Sequence, residues 1–204
     1  MQFDRVMNED ALAPSDLSEA VLREPLRRIL SSRERRRLAP AGTTAAAVLV
    51  ALFEQDGEAH VWLVRRPASM RSHAGQVAFP GGKKDERDAS LLVTALREAH
   101  EELGIAAVNV DVLGPLDDLW TGTGFTITPW VGWLASGAQV TPNPGEVARA
   151  FSPALRSFLM PSNGPPPRRG WTIDGEIVWG ATAAIVEGFV RVLHLLDRAG
   201  PHLS

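Results

Sequence analysis

The chain has 204 residues, 45% of them hydrophobic and 22% charged, a length that suits one domain with a sizeable core. It contains no cysteine, which excludes thiolate nucleophiles, disulfide frameworks and every cysteine-based zinc or iron–sulfur site. The formal charge is −3, with 21 basic residues against 24 acidic, so a protein that grips nucleic-acid backbone is disfavoured.

Met1–Pro14 mixes charges with no apolar core, and the longest apolar run, Ala45–Phe53, is about half of what a bilayer span requires. A cytoplasmic protein without a membrane segment is therefore expected. Asp16 to about Leu38 reads as an amphipathic helix. Asp16 and Glu19 are spaced as a capping box, and Leu17, Val21, Leu22, Ile29 and Leu30 form a stripe that Pro25 splits or kinks. The basic run Arg33–Arg37 reads as the solvated end of that helix. Residues 1–40 are thus taken as a helical extension and 41–204 as the main domain.

Thr43–Phe53 and His60–Val64 read as strands joined by a turn at Gln55-Asp56-Gly57. Arg65–Lys84 carries few signals of either kind, and Asp88–Leu103 is a strongly marked helix. Strands are expected near Val108–Leu113, Asp117–Trp120, Phe125–Leu134 and Glu146–Phe151, then a short helix at Pro153–Leu159. Pro161–Arg169 is a loop, Asp174-Gly175 joins a second hairpin from Trp171–Ile173 to Glu176–Trp179, and a helix follows from about Ala181 to Arg198. The irregular mixture predicts an α+β fold or a mixed α/β sandwich, not a doubly wound sheet.

On the helix before Gly104, Leu92, Leu96, Ala99 and Leu103 form one arc and are expected to be buried. Glu98, Glu101 and Glu102 form a second. They repel one another and sit where the helix dipole disfavours negative charge. Two readings fit: a solvated acidic face with Arg97 pairing to Glu101, or a compensating divalent cation, since hard ions prefer such oxygen clusters. Upstream, Ala59–Lys84 holds Arg65, Arg66, Arg71, Lys83 and Lys84 and no acid. A basic approach leading into an acidic helix suits a phosphate-rich small molecule bridged to carboxylates by a metal. Gly81 and Gly82 would let the backbone pass close to it.

Arg97-Glu98-Ala99-x-Glu101-Glu102-x-Gly104-Ile105, preceded by Gly82 in a Phe-Pro-Gly-Gly turn, resembles the Nudix box. Its Gly-to-Arg spacing is one residue longer than the general pattern, and Asp88 stands at the box's first glutamate. With Arg71-x-His73-x-Gly75-Gln76-Val77-x-Phe79-Pro80-Gly81-Gly82-Lys83, that spacing is similar to the coenzyme A pyrophosphatase branch. Asn143-Pro144-x-Glu146-Val147 and Val178-Trp179-Gly180-Ala181-Thr182-Ala183 are further echoes. Val64 and Pro67 depart from that branch, which carries threonine and a small residue there.

The resemblance implies a Nudix fold, a mixed β-sheet sandwiched between α-helices, and Mg²⁺- or Mn²⁺-dependent hydrolysis of a nucleoside diphosphate derivative. It implies Glu98, Glu101 and Glu102 as metal ligands with the Gly82 carbonyl, and Arg97 as the residue orienting a box carboxylate. Glu146 is taken as a further acid for metal or proton, its alternative being a strand-edge residue. Arg71, His73, Gln76 and Lys83 are the candidates for substrate phosphates. The implied substrate is coenzyme A or a derivative, giving 3′,5′-ADP and 4′-phosphopantetheine. The alternatives are another Nudix substrate (ADP-ribose, NADH, an oxidised nucleotide) or a silent nucleotide-sensing domain. No nucleic-acid or membrane partner is expected, and the oligomeric state is left open, a homodimer included. Trp120, Trp130 and Trp133 remain equal candidates for stacking on an adenine.

Overall fold

The computed structural model describes residues 17–68, 74–164 and 170–198. Its centre is β1 (Thr44–Gln55), whose alternate side chains are buried on both faces. Such a strand reads as a continuous apolar run because neither face meets water. β1 pairs antiparallel with β2 (Glu58–Val61) through a two-residue turn in which Asp56 and Gly57 have φ of 53° and 79°, as a type I′ hairpin requires. It also pairs antiparallel with β5 (Gly81–Lys83) and parallel with β8 (Phe125–Leu134). β6 (Val110–Pro115) and β7 (Leu119–Trp120) add to β8 antiparallel. The sheet is therefore mixed, as expected.

β3 (Leu63–Arg65) lies between β4 (Val77–Ala78) and β9 (Arg149–Phe151) in a small second sheet. The expected single strand over His60–Val64 is thus divided at Trp62 between two sheets. β10 (Gly170–Ile173) and β11 (Glu176–Trp179) form the second hairpin, again over a positive-φ Asp-Gly pair. The expected helix at Pro153–Leu159 is a single 3₁₀ turn, Leu155–Phe158.

The helix before Gly104, α2 (Leu91–Leu103), packs Ala95, Ala99 and Leu103 on Ala47, Leu49 and Ala51 of β1. On the other face, α1 (Glu19–Ser32) and α3 (Gly180–Arg198) cover Val50, Leu52, Val131 and Trp133. That is an α+β sandwich with a helical layer on each side of a mixed sheet, the expected class. No described helix is long and apolar enough to cross a membrane.

At the N-terminal end the structure departs from the sequence reading in several places. α1 runs through Pro25 as one element. The lost hydrogen bond and ring clash cost about 3 kcal/mol, while burying each of Leu22, Leu26 and Leu30 returns about 2 kcal/mol. The helix also stops at Ser32 and not near Leu38. Asp16 lies outside the described residues, and Glu19, far from closing a capping box, pairs with Arg23 at 2.6 Å. Beyond Ser32 the basic run is an extended strap, not a solvated helix end. Arg33 pairs with Asp117 at 2.6 Å and Arg35 with the buried Asp118 at 2.7 Å. Two acids fixed ahead of β7 draw these arginines out of helical register.

Candidate active site

α2 presents the acidic residues. Ser90 caps it by accepting the Val93 N–H, and Gly104 closes it in the left-handed conformation. The alanines let the helix approach β1 closely, which turns the buried stripe toward Ala95 and leaves Leu92 and Leu96 half-buried. That rotation carries Glu102 inward to 3% exposure and leaves Glu101 on the outer face. A purely solvated acidic arc is therefore not what forms.

Arg97 ties this end of the helix to the chain before it. Its Nε and Nη2 donate to the two oxygens of Asp88 at 3.1 and 3.0 Å, and Nη2 also reaches the Lys83 carbonyl at 3.1 Å. Its Nη1 meets Glu98 at 2.9 Å and Glu101 at 2.8 Å. Asp88 is buried and also accepts the Thr94 hydroxyl and the Asp85 N–H, each at 2.9 Å. The bidentate guanidinium holds its carboxyl well below the usual range, overcoming the opposing effect of burial. The residue at the box's first acidic position thus anchors the arginine.

β5 brings the backbone against the carboxylates. The Gly81 N–H donates to Glu102 at 3.1 Å. A Cβ on Gly81 would fall 2.4 Å from the Ala47 carbonyl oxygen, and one on Gly82 would fall 2.4 Å from a Glu98 oxygen. Neither position accepts a side chain without displacing β1 or the carboxylate.

Burial pushes the Glu102 carboxyl up to about 7, against the Gly81 N–H and the Arg66 guanidinium, and the charges of Glu98 and Glu146 add to the rise. Burial raises Glu98 as well, with Arg97 opposing and Glu101 and Glu146 reinforcing. Glu98 and Glu102 are therefore short of positive charge, and carboxylate oxygens are the hard donors that a divalent cation prefers. The glycine backbone beside Glu98 leaves the space in front of that carboxylate open, since a Cβ on Gly82 would fill it. Among the described residues no group of three or more acidic or histidine side chains is arranged to hold a metal ion, and Glu101 is engaged by Arg97.

These groups open into a cavity of about 770 Å³. The structure brings Gly82, Glu98, Glu102, Glu146, Gln76 and Lys83 into its wall. Glu146 sits there in the turn before β9, where Asn143 donates to it at 3.2 Å, and not at a strand edge. Glu101 and Arg97 are outside the wall, and Arg71 and His73 lie outside the described residues. Arg66, one member of the basic approach not named as a candidate for phosphate, is also in the wall, with Nη1 3.5 Å from Glu102 and a buried Nε that has no hydrogen-bond partner among the described residues. The tryptophans now separate: Trp133 is core, Trp130 packs beside α2, and Trp120 lies at the cavity rim, 56% exposed.

A family model described as NUDIX domain matches residues 43–171. A relative from Photorhabdus laumondii named uncharacterized Nudix hydrolase NudL is 43% identical over 134 residues, covering 61% of this chain and 72% of its own. One of the same name from Yersinia enterocolitica is 39% identical over 170 residues, covering 76% and 84%. Among solved structures, the Nudix hydrolase RenU of M. smegmatis aligns with a TM-score of 0.53 at 21% identity, covering 80% of this chain and 91% of that one. The NUDIX domain of Shewanella oneidensis NrtR complexed with ADP ribose aligns with a TM-score of 0.55 at 17% identity, covering 81% and 97%. At these identities the structural likeness concerns the fold.

Proposed function

Given that this chain belongs to the Nudix hydrolase family, whose members act on small nucleoside diphosphate derivatives with divalent metal, we propose that it is the pyrophosphatase of coenzyme A or a CoA derivative. One observation carries the reading. Three stretches far apart in sequence, Gln76–Lys83, the turn at Glu146 and Trp179–Thr182, wall one cavity together with Glu98 and Glu102. These are the stretches in which the chain is similar to the CoA-hydrolysing branch.

Glu98 and Glu102 would hold Mg²⁺ or Mn²⁺, with the Gly82 carbonyl at hand and Glu101 joining by exchanging its Arg97 partner. When bound, a divalent cation supplies charge neutralisation to the diphosphate and acidity to the attacking water. Lys83 and Arg66 bind phosphate oxygens, and Gln76 lies beside them. Arg71 and His73 belong to the same basic approach. Arg97, held by Asp88, positions Glu98. Glu146 accepts the proton of the water that attacks phosphorus. The bridging P–O bond breaks, giving 3′,5′-ADP and 4′-phosphopantetheine. Such a substrate places the protein in the cytoplasm.

The test is hydrolysis of CoA with and without Mg²⁺, with products identified by mass. Metal-dependent release of those two products is expected. A preference for ADP-ribose over CoA by more than about tenfold, a difference of about 1.4 kcal/mol in transition-state stabilisation, overturns the substrate assignment.

A further inference from the structure

The cavity has two unlike ends. One is the carboxylate end with Arg66. The other is a slot between the sheet and the first turns of α3. Its floor is Ala46 and Val48 of β1, Ile127 of β8 and Leu119 of β7, and its roof is Ala181, Ala184 and Ile185. Register places Ala46 opposite both Ile127 and Lys83, so the floor is one continuous strip leading to the lysine. Lys83 stands over the Phe125 ring with its nitrogen 5.6 Å from the centroid, a cation where the apolar strip begins. Alanines on floor and roof keep the slot open.

We propose that this slot holds the non-nucleotide arm of the substrate, a chain rich in methyl and methylene groups, and not the nucleotide base. The inference rests on the diphosphate-hydrolase reading and assigns a direction to the substrate within it. A purine buried in the slot needs partners for its ring nitrogens and amino group. The hydroxyl protons nearby have acceptors, so none is offered to a ring nitrogen: Thr182 donates to the buried Val77 carbonyl at 2.8 Å, Thr121 reaches the Phe125 carbonyl at 3.3 Å, and Thr123 lies 3.0 Å from Thr121. A branched aliphatic segment such as the geminal dimethyl group of pantetheine asks for no partner and gains from leaving water. With the diphosphate between the metal carboxylates and Lys83, the arm runs along the strip and the base lies outside it.

The test is calorimetric binding of the two halves, 4′-phosphopantetheine and 3′,5′-ADP, to the unaltered protein and to Ala184→Phe. The substitution fills the slot from a half-buried helical position. It is expected to weaken 4′-phosphopantetheine by about tenfold or more, the loss of one fully buried apolar group, and to leave 3′,5′-ADP within about twofold. Equal weakening of both, a selective loss of 3′,5′-ADP, or failure of the unaltered protein to bind 4′-phosphopantetheine overturns the proposal. If Ala184→Phe melts early by circular dichroism, Ala181→Leu decides by the same comparison. CoA turnover is followed in parallel. Loss of the substrate assignment appears as absent CoA hydrolysis with arm binding intact, which is distinct from failure of the slot.

Discussion

A carboxylate that is 3% exposed and faces two others is an unfavourable place for charge, yet Glu102 occupies it. Stability alone would favour a neutral residue there, so replacing it separates fold from function. Glu102→Gln keeps an oxygen for the Gly81 N–H and removes the buried charge. With metal chelated it is expected to raise the melting temperature, on the scale of about 1 kcal/mol for relief of a functional-site conflict. Turnover in Mg²⁺ should fall by roughly three orders of magnitude or more, as for loss of a group acting in the transition state. Glu98→Gln should lose activity equally. Activity surviving both changes refutes the metal assignment. Asp88 behaves in the opposite sense. Its carboxyl is held low in the folded chain, so it contributes stability above the unfolded value of about 3.9 and loses it as pH falls below that. Asp88→Ala should cost about 3 kcal/mol near neutrality because Arg97 loses its buried partner. Urea midpoints taken from pH 7 downward should show the gap narrowing below about pH 4.

At the level of elements, hairpins and helices with local chemistry were legible. Asp56-Gly57 and Asp174-Gly175 announced their turns, and β8 has the expected bounds, Phe125–Leu134. The periodicity of α2 identified a buried face but missed its rotation, because the close fit of Ala95 and Ala99 on β1 is tertiary. Glu146 was legible only through the resemblance, since its place in the same cavity wall as Glu98 depends on a turn far from α2. The same limit hid the strap. Nothing near Arg35 in the sequence signals that Asp118 is its partner, since 83 residues separate them. Asp118 is 5% exposed and is further satisfied by the Thr128 hydroxyl at 2.6 Å and the Leu38 N–H at 2.9 Å. Arg35→Ala leaves that charge buried without its cation and should cost about 3 kcal/mol. Asp118→Asn in the same background should recover part of the loss. A double-mutant cycle by denaturant unfolding checks this, and simple additivity would show that the pair is not coupled.

For the whole molecule, the place of α1 bears on reading residues 1–40 as an extension of a main domain. α1 seals one face of the sheet with Leu22, Leu26 and Leu30, in the same core as Val50, Leu52 and Trp133. Arg23 adds an ion pair to Asp111 of β6 at 2.6 Å. At about 2 kcal/mol for each leucine, the helix supplies roughly 6 kcal/mol of burial, while a domain has only about 5–15 kcal/mol of net stability. Removing residues 1–40 also breaks both strap pairs at Asp117 and Asp118. The shortened chain is therefore expected to lose its cooperative melting transition and to expose the α1 side of the core, read as dye binding. A chain lacking residues 1–40 that still melts cooperatively and turns over substrate would mean that α1 lies on a domain complete without it.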